Sequence, residues 1–236
     1  MQKNKKNSRN LKIVYEDDFM FVVNKPPRIP TVPGNNIQLN QSILGMAEKQ
    51  FAEKGIKPYV LHRLDSQTSG ALMFGKYEKD RPELAKIFTD KNTSKKYATL
   101  VQGVPNGSCI SIPLHARASQ ELVPAETNYK IIKVFRGKSC PLCALVEATI
   151  HTGRKHQIRQ HFAKVGHFVI LDSKYGDPHF NRKFRIHFRL GRQFLHAAEV
   201  NFFHPILKKQ VQILAPLPMD LQNVIKKLQF GQGRSF

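Results

Sequence analysis

Acidic residues are scarce in this chain. Its 236 residues include 17 Asp and Glu against 38 Lys and Arg, which gives a formal net charge of +21. This imbalance is atypical of an enzyme that acts on small metabolites, and it predicts a polyanionic partner. An anionic membrane surface would require a basic amphipathic helix or a lipid anchor, and the sequence contains neither motif. Nucleic acid is therefore the predicted partner.

Long apolar runs and cysteines are also few. No stretch approaches the roughly 20 apolar residues that span a bilayer, and the N-terminus is too polar for a signal peptide, which predicts a cytoplasmic protein. Cys109, Cys140 and Cys143 are an odd number of cysteines and too few for a disulfide scaffold. Cys140 and Cys143 could form half of a zinc site or a redox pair, but no second C-x-x-C exists. We therefore predict no metal.

The apolar content, 41% of the residues, is ample for a folded core. Residues 1–10 are polar and basic without periodicity, which predicts a flexible arm that is either solvated or in contact with phosphate. No linker or internal repeat divides residues 11–236. These residues are predicted to form a single, monomeric α+β domain with a largely antiparallel mixed β-sheet and flanking helices.

Helices are predicted from capping residues and apolar spacing. One follows Ser42, a second starts at Pro82, a third spans 152–165 and ends at Gly166, and the last is capped by Asp220. No helix is predicted between 174 and 192. Strands are predicted at 13–15, 19–23, 95–103, 129–134, 144–150, 195–203 and 210–214.

Asp65 lies at a bend between the apolar stretches 57–61 and 71–74, which are predicted to be strands. The residues that follow it, as far as Gly70, are small and polar, as tight turns require. An acid in this position is either a turn former or a reagent. The local sequence alone favours the turn former.

Arg159 is a second candidate for a functional role, because it follows the core-facing Ile158 in the predicted third helix. A buried or half-buried arginine needs an acid partner, and Asp65 is a candidate in a chain with so few carboxylates. His156 and His161 are five residues apart, so they do not share a helix face as zinc ligands at i and i+4 would.

The segment 174–192 interleaves cations with aromatic residues. Cations bind phosphates and aromatic faces stack on unpaired bases, so this composition suits a partly opened RNA. The alternative is a solvated loop whose aromatic residues lie in the core. The cations are Lys174, Arg182, Lys183, Arg185, Arg189 and Arg192, and the aromatic residues are Tyr175, Phe180, Phe184 and Phe188.

Five motifs, in order, resemble those of the RluA-like pseudouridine synthases. The resemblance covers about residues 11–217, and five ordered motifs are far more specific than any one of them. The motifs are Asn-Lys-Pro at 24–26, His-Arg-Leu-Asp at 62–65 with Thr-Ser-Gly at 68–70, Lys-Lys-Tyr-Ala at 95–98, Thr-Gly-Arg-Lys-His-Gln-Ile-Arg at 152–159, and Leu-His-Ala at 195–197 with His-Pro at 204–205.

The resemblance implies the pseudouridine synthase fold and the isomerisation of uridine to pseudouridine in structured RNA without cofactor or metal. It implies that Asp65 is the nucleophile, that Tyr97 lies against the target uracil and helps to remove the C5 proton, and that Arg159 pairs with Asp65. Arg63 matches the family residue that helps to displace the target base. Together with Arg63, the candidate RNA-binding residues are Lys25, Lys95, Arg154, Lys174, Arg182 and Arg185.

Three positions depart from the commonest family pattern. Lys155 stands where Thr or Ser is usual, and Phe168 and Leu171 stand where Pro and Gly are usual. These departures are expected to affect loop geometry and RNA choice rather than the chemistry.

Residues 172–177 look most like the large-subunit rRNA branch of the family. Many members of this branch carry a small RNA-binding domain ahead of the catalytic one. Only about ten residues precede the first predicted strand here, so that domain is expected to be absent. The predicted substrate is 23S rRNA, with tRNA as the alternative.

Two rival functions remain open on the sequence alone. A non-catalytic RNA-binding or ribosome-assembly protein would keep the fold for its surface, and the joint presence of Asp65, Tyr97 and Arg159 weakens this hypothesis. A zinc-dependent nucleic-acid enzyme would rest on Cys140, Cys143 and scattered histidines.

Overall fold

The structure, a computed structural model, describes residues 10–230 with the exception of 35, 117, 118, 120, 138 and 139. The predicted basic arm, residues 1–10, lies outside the described residues except for Asn10, and so does the side chain of Cys140. No helix in the described part of the chain is long and apolar enough to cross a membrane.

The strands occur where apolar residues alternate with polar ones or form short apolar runs between turn residues. In chain order they are β1 (Ile13–Glu16), β2 (Met20–Lys25), β3 (Tyr59–Val60), β4 (Ser69–Gly75), β5 (Ser94–Gln102), β6 (Cys109–Ser111), β7 (Leu114–His115), β8 (Leu122–Val123), β9 (Glu126–Gly137), β10 (Cys140–Ile150), β11 (Leu195–His204) and β12 (Lys209–Leu214).

A ten-stranded sheet is the central feature of the fold. Its main path runs β1-β2-β4-β11-β5-β10-β9-β6, with β12 paired to β11 and β3 paired to β4, while β7 and β8 form a separate pair. Among the described strands, β11 and β4 pair in parallel and the other pairs are antiparallel. The predicted α+β class with a largely antiparallel mixed sheet is confirmed.

Strand β4 is buried at every position because apolar clusters cover both faces of the sheet around it. Phe74 belongs to one cluster, in which it stacks with Phe21 at 5.0 Å between ring centroids. Met73 belongs to the cluster on the other face, together with Phe202. The loop that carries Asp65 leads directly into this rigid strand.

The helices flank the sheet. Ser42 caps the first one as predicted, since its Oγ accepts a hydrogen bond from the N–H of Gly45 at 3.2 Å. The α-helices are α1 (Ile43–Phe51), α2 (Arg81–Ala85), α3 (Gln157–Lys164), α4 (Pro178–Phe188) and α5 (Met219–Phe230).

Two predicted helix starts are wrong. Helix α3 begins five residues later than predicted, because His156 adopts a left-handed φ of 54° immediately before it. Helix α5 begins at Met219, so Asp220 lies in the first turn instead of at the cap. The carboxylate of Asp220 binds the buried Arg192 at 2.7 and 3.0 Å, which ties α5 to the chain that precedes β11.

Helix α4 occupies much of the segment 174–192, where no helix is predicted. Asp177 caps it by accepting hydrogen bonds from two free backbone N–H groups at 2.8 and 3.1 Å, and Pro178 is in its first turn. Phe184 and Phe188 are buried in the cluster that includes α5. For these two phenylalanines the alternative of core aromatics is correct, and their predicted contact with RNA bases is wrong.

Candidate active site

Asp65 lies in the loop 61–68, between β3 and β4, and backbone contacts hold this loop in place. The N–H of Thr68 donates to the carbonyl oxygen of Asp65 at 3.1 Å, which closes the turn. Lys25 Nζ donates to the carbonyl oxygens of Ser66 at 3.0 Å and Thr68 at 2.9 Å. The segment is thus a well-fixed turn, and its carboxylate is held at a defined place.

Gly70 brings the loop into the sheet by a close approach of two backbones. Its φ is +117°, and a Cβ at this position would lie 2.1 Å from the carbonyl oxygen of Ala197. The approach is close because Gly70 and Ala197 are paired where β4 and β11 run in parallel. Only glycine accepts this φ and this contact together.

Arg159 is shared between two carboxylates, Asp65 and Asp172. Its Nε and Nη2 donate to Asp172 at 2.6 and 2.9 Å, and its Nη1 donates to Asp65 Oδ2 at 2.7 Å. The side chains of Arg159 and Asp172 are 8% and 1% exposed, whereas that of Asp65 is 30% exposed. The predicted pair of Asp65 and Arg159 is present, and a third member, which the sequence did not indicate, anchors it.

Among Asp65, Arg159 and Asp172, charge pairing affects the pKa values of Arg159 and Asp172 more than burial does. Burial alone would raise the pKa of Asp172, but the Arg159 guanidinium and backbone N–H donors hold that pKa below its usual value. Burial alone would lower the pKa of Arg159, and the two carboxylates raise it instead. Arg159 is therefore a permanent cation beside Asp65.

His156 lies on the other side of the Asp65 carboxylate. Its Nε2 is 3.5 Å from Asp65 Oδ1, and its Nδ1 is 3.1 Å from the hydroxyl of Tyr175. Burial lowers the pKa of His156, although the charge of Asp65 opposes this effect. The imidazole is thus neutral near pH 7.

Tyr97 lies in a row of small residues that crosses the sheet. It pairs with Ala197 on β11 and with Ala148 on β10, and Gly70 follows Ala197 in the same row. At the usual spacing of strands, about 4.8 Å, Gly70 is roughly 10 Å from Tyr97. Tyr97 is 8% exposed. Burial raises its pKa well above the usual value and the charge of Asp65 raises it further, so the phenol is neutral.

Several predicted RNA-binding residues are accessible. Arg63 is exposed two residues before Asp65, Lys174 is exposed beside the Tyr175 ring at 5.2 Å, and Arg154 is half-buried. Arg182 and Arg185 are exposed on α4. Arg63 lies in the Asp65 loop, Arg154 precedes α3, and the other three follow Asp172 in the chain.

Two predicted RNA-binding residues, Lys25 and Lys95, are buried. Direct RNA contact is wrong for Lys25, whereas for Lys95, which is as exposed as Tyr97, it stays a prediction. Lys25 is 0% exposed because its ammonium donates to carbonyl oxygens under the Asp65 loop, and burial lowers its pKa to about 7. Lys95 is 8% exposed, its Nζ lies 5.4 Å from the centroid of the Phe88 ring, and burial lowers its pKa to about 8. Lys25 thus supports the Asp65 loop from within.

The described residues contain no group of three or more His, Cys, Asp or Glu side chains that could hold a metal ion. His161, one of the histidines considered as a zinc ligand, is buried and its ring nitrogens contact Thr127 Oγ1 and the carbonyl oxygen of Ile112, each at 2.9 Å.

The half-exposed carboxylate of Asp65, near the buried guanidinium of Arg159 and the neutral phenol of Tyr97, can act as a nucleophile or a base.

A protein-family model described as RNA pseudouridylate synthase matches residues 19–164, more than half of the chain. The chain belongs to this family. It is an RNA pseudouridine synthase and hence an isomerase, as the five motifs indicate.

Named members of the family are similar over almost all of this chain. The ribosomal large subunit pseudouridine synthase C of Vibrio vulnificus (strain CMCP6) is 33% identical over 229 residues, which cover 92% of this chain and 69% of the relative. The synthase D of Zymomonas mobilis is 34% identical over 244 residues, covering 94% and 74%. The tRNA pseudouridine synthase C of Haemophilus influenzae is 31% identical over 244 residues, covering 94% and 98%.

A solved structure confirms the predicted pseudouridine synthase fold. Human RNA Pseudouridylate Synthase Domain Containing 4 superposes with a TM-score of 0.73 over 92% of this chain and 93% of that chain, at 20% sequence identity.

Asp172, Tyr175 and Lys25 are the residues of the site whose places the sequence analysis missed. Asp172 follows the buried run 169–171, and an acid in that position must have a cationic partner, which was a usable signal. The sequence offers no comparable signal for the burial of Lys25, because a lysine before two prolines is equally consistent with an exposed loop.

Proposed function

We propose that this pseudouridine synthase modifies uridine in 23S rRNA and that Asp65 is its nucleophile. The observation that most supports Asp65 as the nucleophile is the 2.7 Å contact between its accessible carboxylate and the buried guanidinium of Arg159. A fixed cation stabilises the negative charge that a carboxylate nucleophile needs in a partly desolvated pocket. Asp172 neutralises Arg159 from the far side and keeps it in place.

The proposed reaction is an isomerisation, so the substrate and the product contain the same atoms. The N1–C1′ bond of uridine breaks, a C5–C1′ bond forms, the C5 proton leaves, and N1 gains a proton. Attack at the ribose C1′ and attack on the uracil ring both start from the Asp65 carboxylate, and in either case the bond that Asp65 forms breaks again in a later step, which regenerates the carboxylate. Tyr97 is proposed to lie against the uracil and to help remove the C5 proton, because the charge of Asp65 acts on its phenol, which places the two groups near each other. Its hydroxyl is neutral, so it would give its own hydrogen to solvent as it takes the proton from C5.

The target base must leave its stack before it reaches Asp65. Arg63 is proposed to help displace it, because this exposed side chain precedes Asp65 by two residues in the same fixed loop. Lys174 and Arg154 are proposed to hold nearby phosphates. Arg182 and Arg185 would extend this contact along the solvent face of α4.

The salt dependence of RNA binding tests these contacts. The double variant R182S/R185S should reduce the slope of log K against log salt by about 1.5, since each lost phosphate contact removes roughly 0.7 to 0.9. The control K57S/K226S removes two exposed lysines that lie outside the proposed contacts and should leave the slope unchanged. Equal slopes for the two double variants would contradict the proposed contact along α4.

The choice of 23S rRNA rests on the relatives named as large-subunit synthases and on the resemblance of residues 172–177 to that branch. tRNA is the second candidate, because a relative of almost the same identity, 31%, is named as a tRNA pseudouridine synthase.

A map of pseudouridine across total RNA, from cells with and without this protein, tests the substrate. The proposal predicts that one or a few pseudouridines disappear from 23S rRNA in the cells that lack it. Disappearance from tRNA alone would favour the second candidate. An unchanged map in every RNA would support the non-catalytic RNA-binding or ribosome-assembly protein instead.

A further inference from the structure

The two oxygens of Asp65 have different surroundings. Oδ2 accepts a hydrogen bond from Arg159, whereas Oδ1 is 3.5 Å from His156 Nε2, slightly longer than a hydrogen bond. One hydrogen bond at one oxygen fixes the place of the carboxylate but not its rotation about the Cβ–Cγ bond. A donor at Oδ1 would fix this rotation.

His156 is held in an unusual backbone conformation. Its φ is 54°, which costs a non-glycine residue energy and persists only where the surroundings enforce it. The ring is fixed by Tyr175, whose hydroxyl is 3.1 Å from Nδ1 and whose ring meets the imidazole edge-on at 5.7 Å between centroids. The strained residue thus occupies a defined position beside the nucleophile.

Asp172 holds both flanks of Asp65. The same carboxylate that binds Arg159 accepts hydrogen bonds from the backbone N–H groups of Lys174 at 2.8 Å and Tyr175 at 3.1 Å. Arg159 also lies 5.3 Å from the centroid of the Tyr175 ring. One buried acid therefore positions the arginine on one side of Asp65 and the tyrosine that contacts His156 on the other.

The hydrogen-bonding partners select one tautomer of the neutral imidazole. An ionised carboxylate only accepts, so Nε2 must carry the hydrogen that faces Asp65. Nδ1 then accepts, and the Tyr175 hydroxyl must donate to it. The charged and titratable groups around His156 are Asp65, Arg159, Lys155, Lys174 and Tyr175.

We propose that His156, oriented by Tyr175, is a positioning residue that donates from Nε2 to Asp65 Oδ1 and fixes the plane of the nucleophile. This inference rests on the proposed function of Asp65. This donation requires the contact to shorten from 3.5 Å to hydrogen-bond distance in the complex with RNA, as catalytic hydrogen bonds often do. Protonation of His156 places a second cation on Asp65, which weakens the carboxylate as a nucleophile.

The test is steady-state kinetics on an RNA that the wild-type protein modifies, with thermal unfolding as a check of folding. H156A should lower kcat by roughly 10- to 100-fold with KM within about twofold, the loss expected for one hydrogen bond to a charged group. H156Q should recover much of kcat, since its amide nitrogen can replace Nε2, and its acid limb should lie at lower pH because glutamine does not titrate. H167Q, at a half-buried histidine near Gln102, is the control and should match the wild type.

The tyrosine supplies a second, independent variant. Y175F should lower kcat less than H156A does, and the double variant H156A/Y175F should be no slower than H156A, because the hydroxyl acts only through the imidazole. If H156A does not fold, the acid limb of H156Q and the kcat of Y175F test the proposal in its place.

Wild-type kcat in H156A, or a raised KM with unchanged kcat, would overturn the proposal in favour of no role or an RNA contact. Additive losses in the double variant would also overturn it. A fully active H156A beside an inactive D65N rejects this inference alone, whereas a wild-type protein that modifies no RNA rejects the proposed function as well.

Discussion

Asp172 binds Arg159 through two hydrogen bonds of 2.6 and 2.9 Å and leaves one guanidinium nitrogen, Nη1, for Asp65. The buried ion pair is therefore complete without the nucleophile. Asp65 can change its charge or move during a reaction while Arg159 stays neutralised and fixed.

The first prediction concerns this anchor. D172N should lower the free energy of unfolding by about 3 kcal/mol, because it leaves the buried cation of Arg159 without its main partner. It should also slow pseudouridine formation, since Arg159 and Tyr175 both lose their support. Urea unfolding and single-turnover rates measure the two effects. E83Q breaks an exposed ion pair with Lys86 and should change neither, so equal stability of D172N and E83Q would contradict the anchoring role.

The variant Y97F distinguishes a role of Tyr97 in packing from a role in the chemistry. Y97F keeps the buried ring, so the free energy of unfolding should change by less than about 1 kcal/mol, while kcat should fall about 100-fold or more if the hydroxyl meets the uracil. The control is Y129F on β9, where the hydroxyl donates to the carbonyl oxygen of Asn106. Y129F should lose stability and keep its rate. The reverse pattern would remove Tyr97 from the chemistry.

Gly70 carries both backbone strain and a close contact. G70A should lower the free energy of unfolding by about 3 kcal/mol or more, because its Cβ would meet the Ala197 carbonyl oxygen at 2.1 Å while φ is +117°. Gly166 has φ of +78° with nothing within 4 Å of its Cβ position. G166A should therefore cost only about 1 kcal/mol, the strain alone. Denaturant unfolding of both variants separates the effect of the contact with Ala197 from that of the positive φ. Equal losses in the free energy of unfolding would show that the contact does not affect stability.

The buried His196 should make the free energy of unfolding depend on pH. It is 0% exposed between Ser69 Oγ at 2.9 Å and the carbonyl oxygen of Ala215 at 3.0 Å, and burial lowers its pKa to about 4. The unfolded chain binds a proton here near pH 6.5 and the folded chain does not, so stability is lost as the pH falls from about 6.5 to 4. Over this window the loss attributable to His196 should reach about 3 kcal/mol.

Unfolding of H196Q across the same pH range checks this expectation. Glutamine does not titrate, so the free energy of unfolding of H196Q should fall less steeply with acid than that of the wild type. H179Q, at an exposed histidine on α4, should follow the wild type. Parallel curves for all three proteins would contradict the role given to His196.

Much of the fold is readable from the sequence because its strands alternate or form short apolar runs, and Ser42 caps its helix as expected. Helix α4 was missed although Phe180, Phe184 and Phe188 recur every four residues, since the cations among them suggested an RNA surface. The scarcity of acids made Asp65 a candidate partner of Arg159, and the family resemblance implied the pair that the structure contains. The burial of Lys25 and the double role of Asp172 depend on contacts between distant segments, which no local pattern encodes.

The central claim is that Asp65 is the nucleophile, and D65N tests it most directly. Because Asp172 still neutralises Arg159, D65N should fold with nearly wild-type stability and bind RNA with nearly wild-type affinity. Pseudouridine formation should be measured in single turnover on 23S rRNA from cells that lack the protein. The rate of D65N should be lower than that of the wild type by about 10³-fold or more. Pseudouridine formation at the wild-type rate by folded D65N would contradict it.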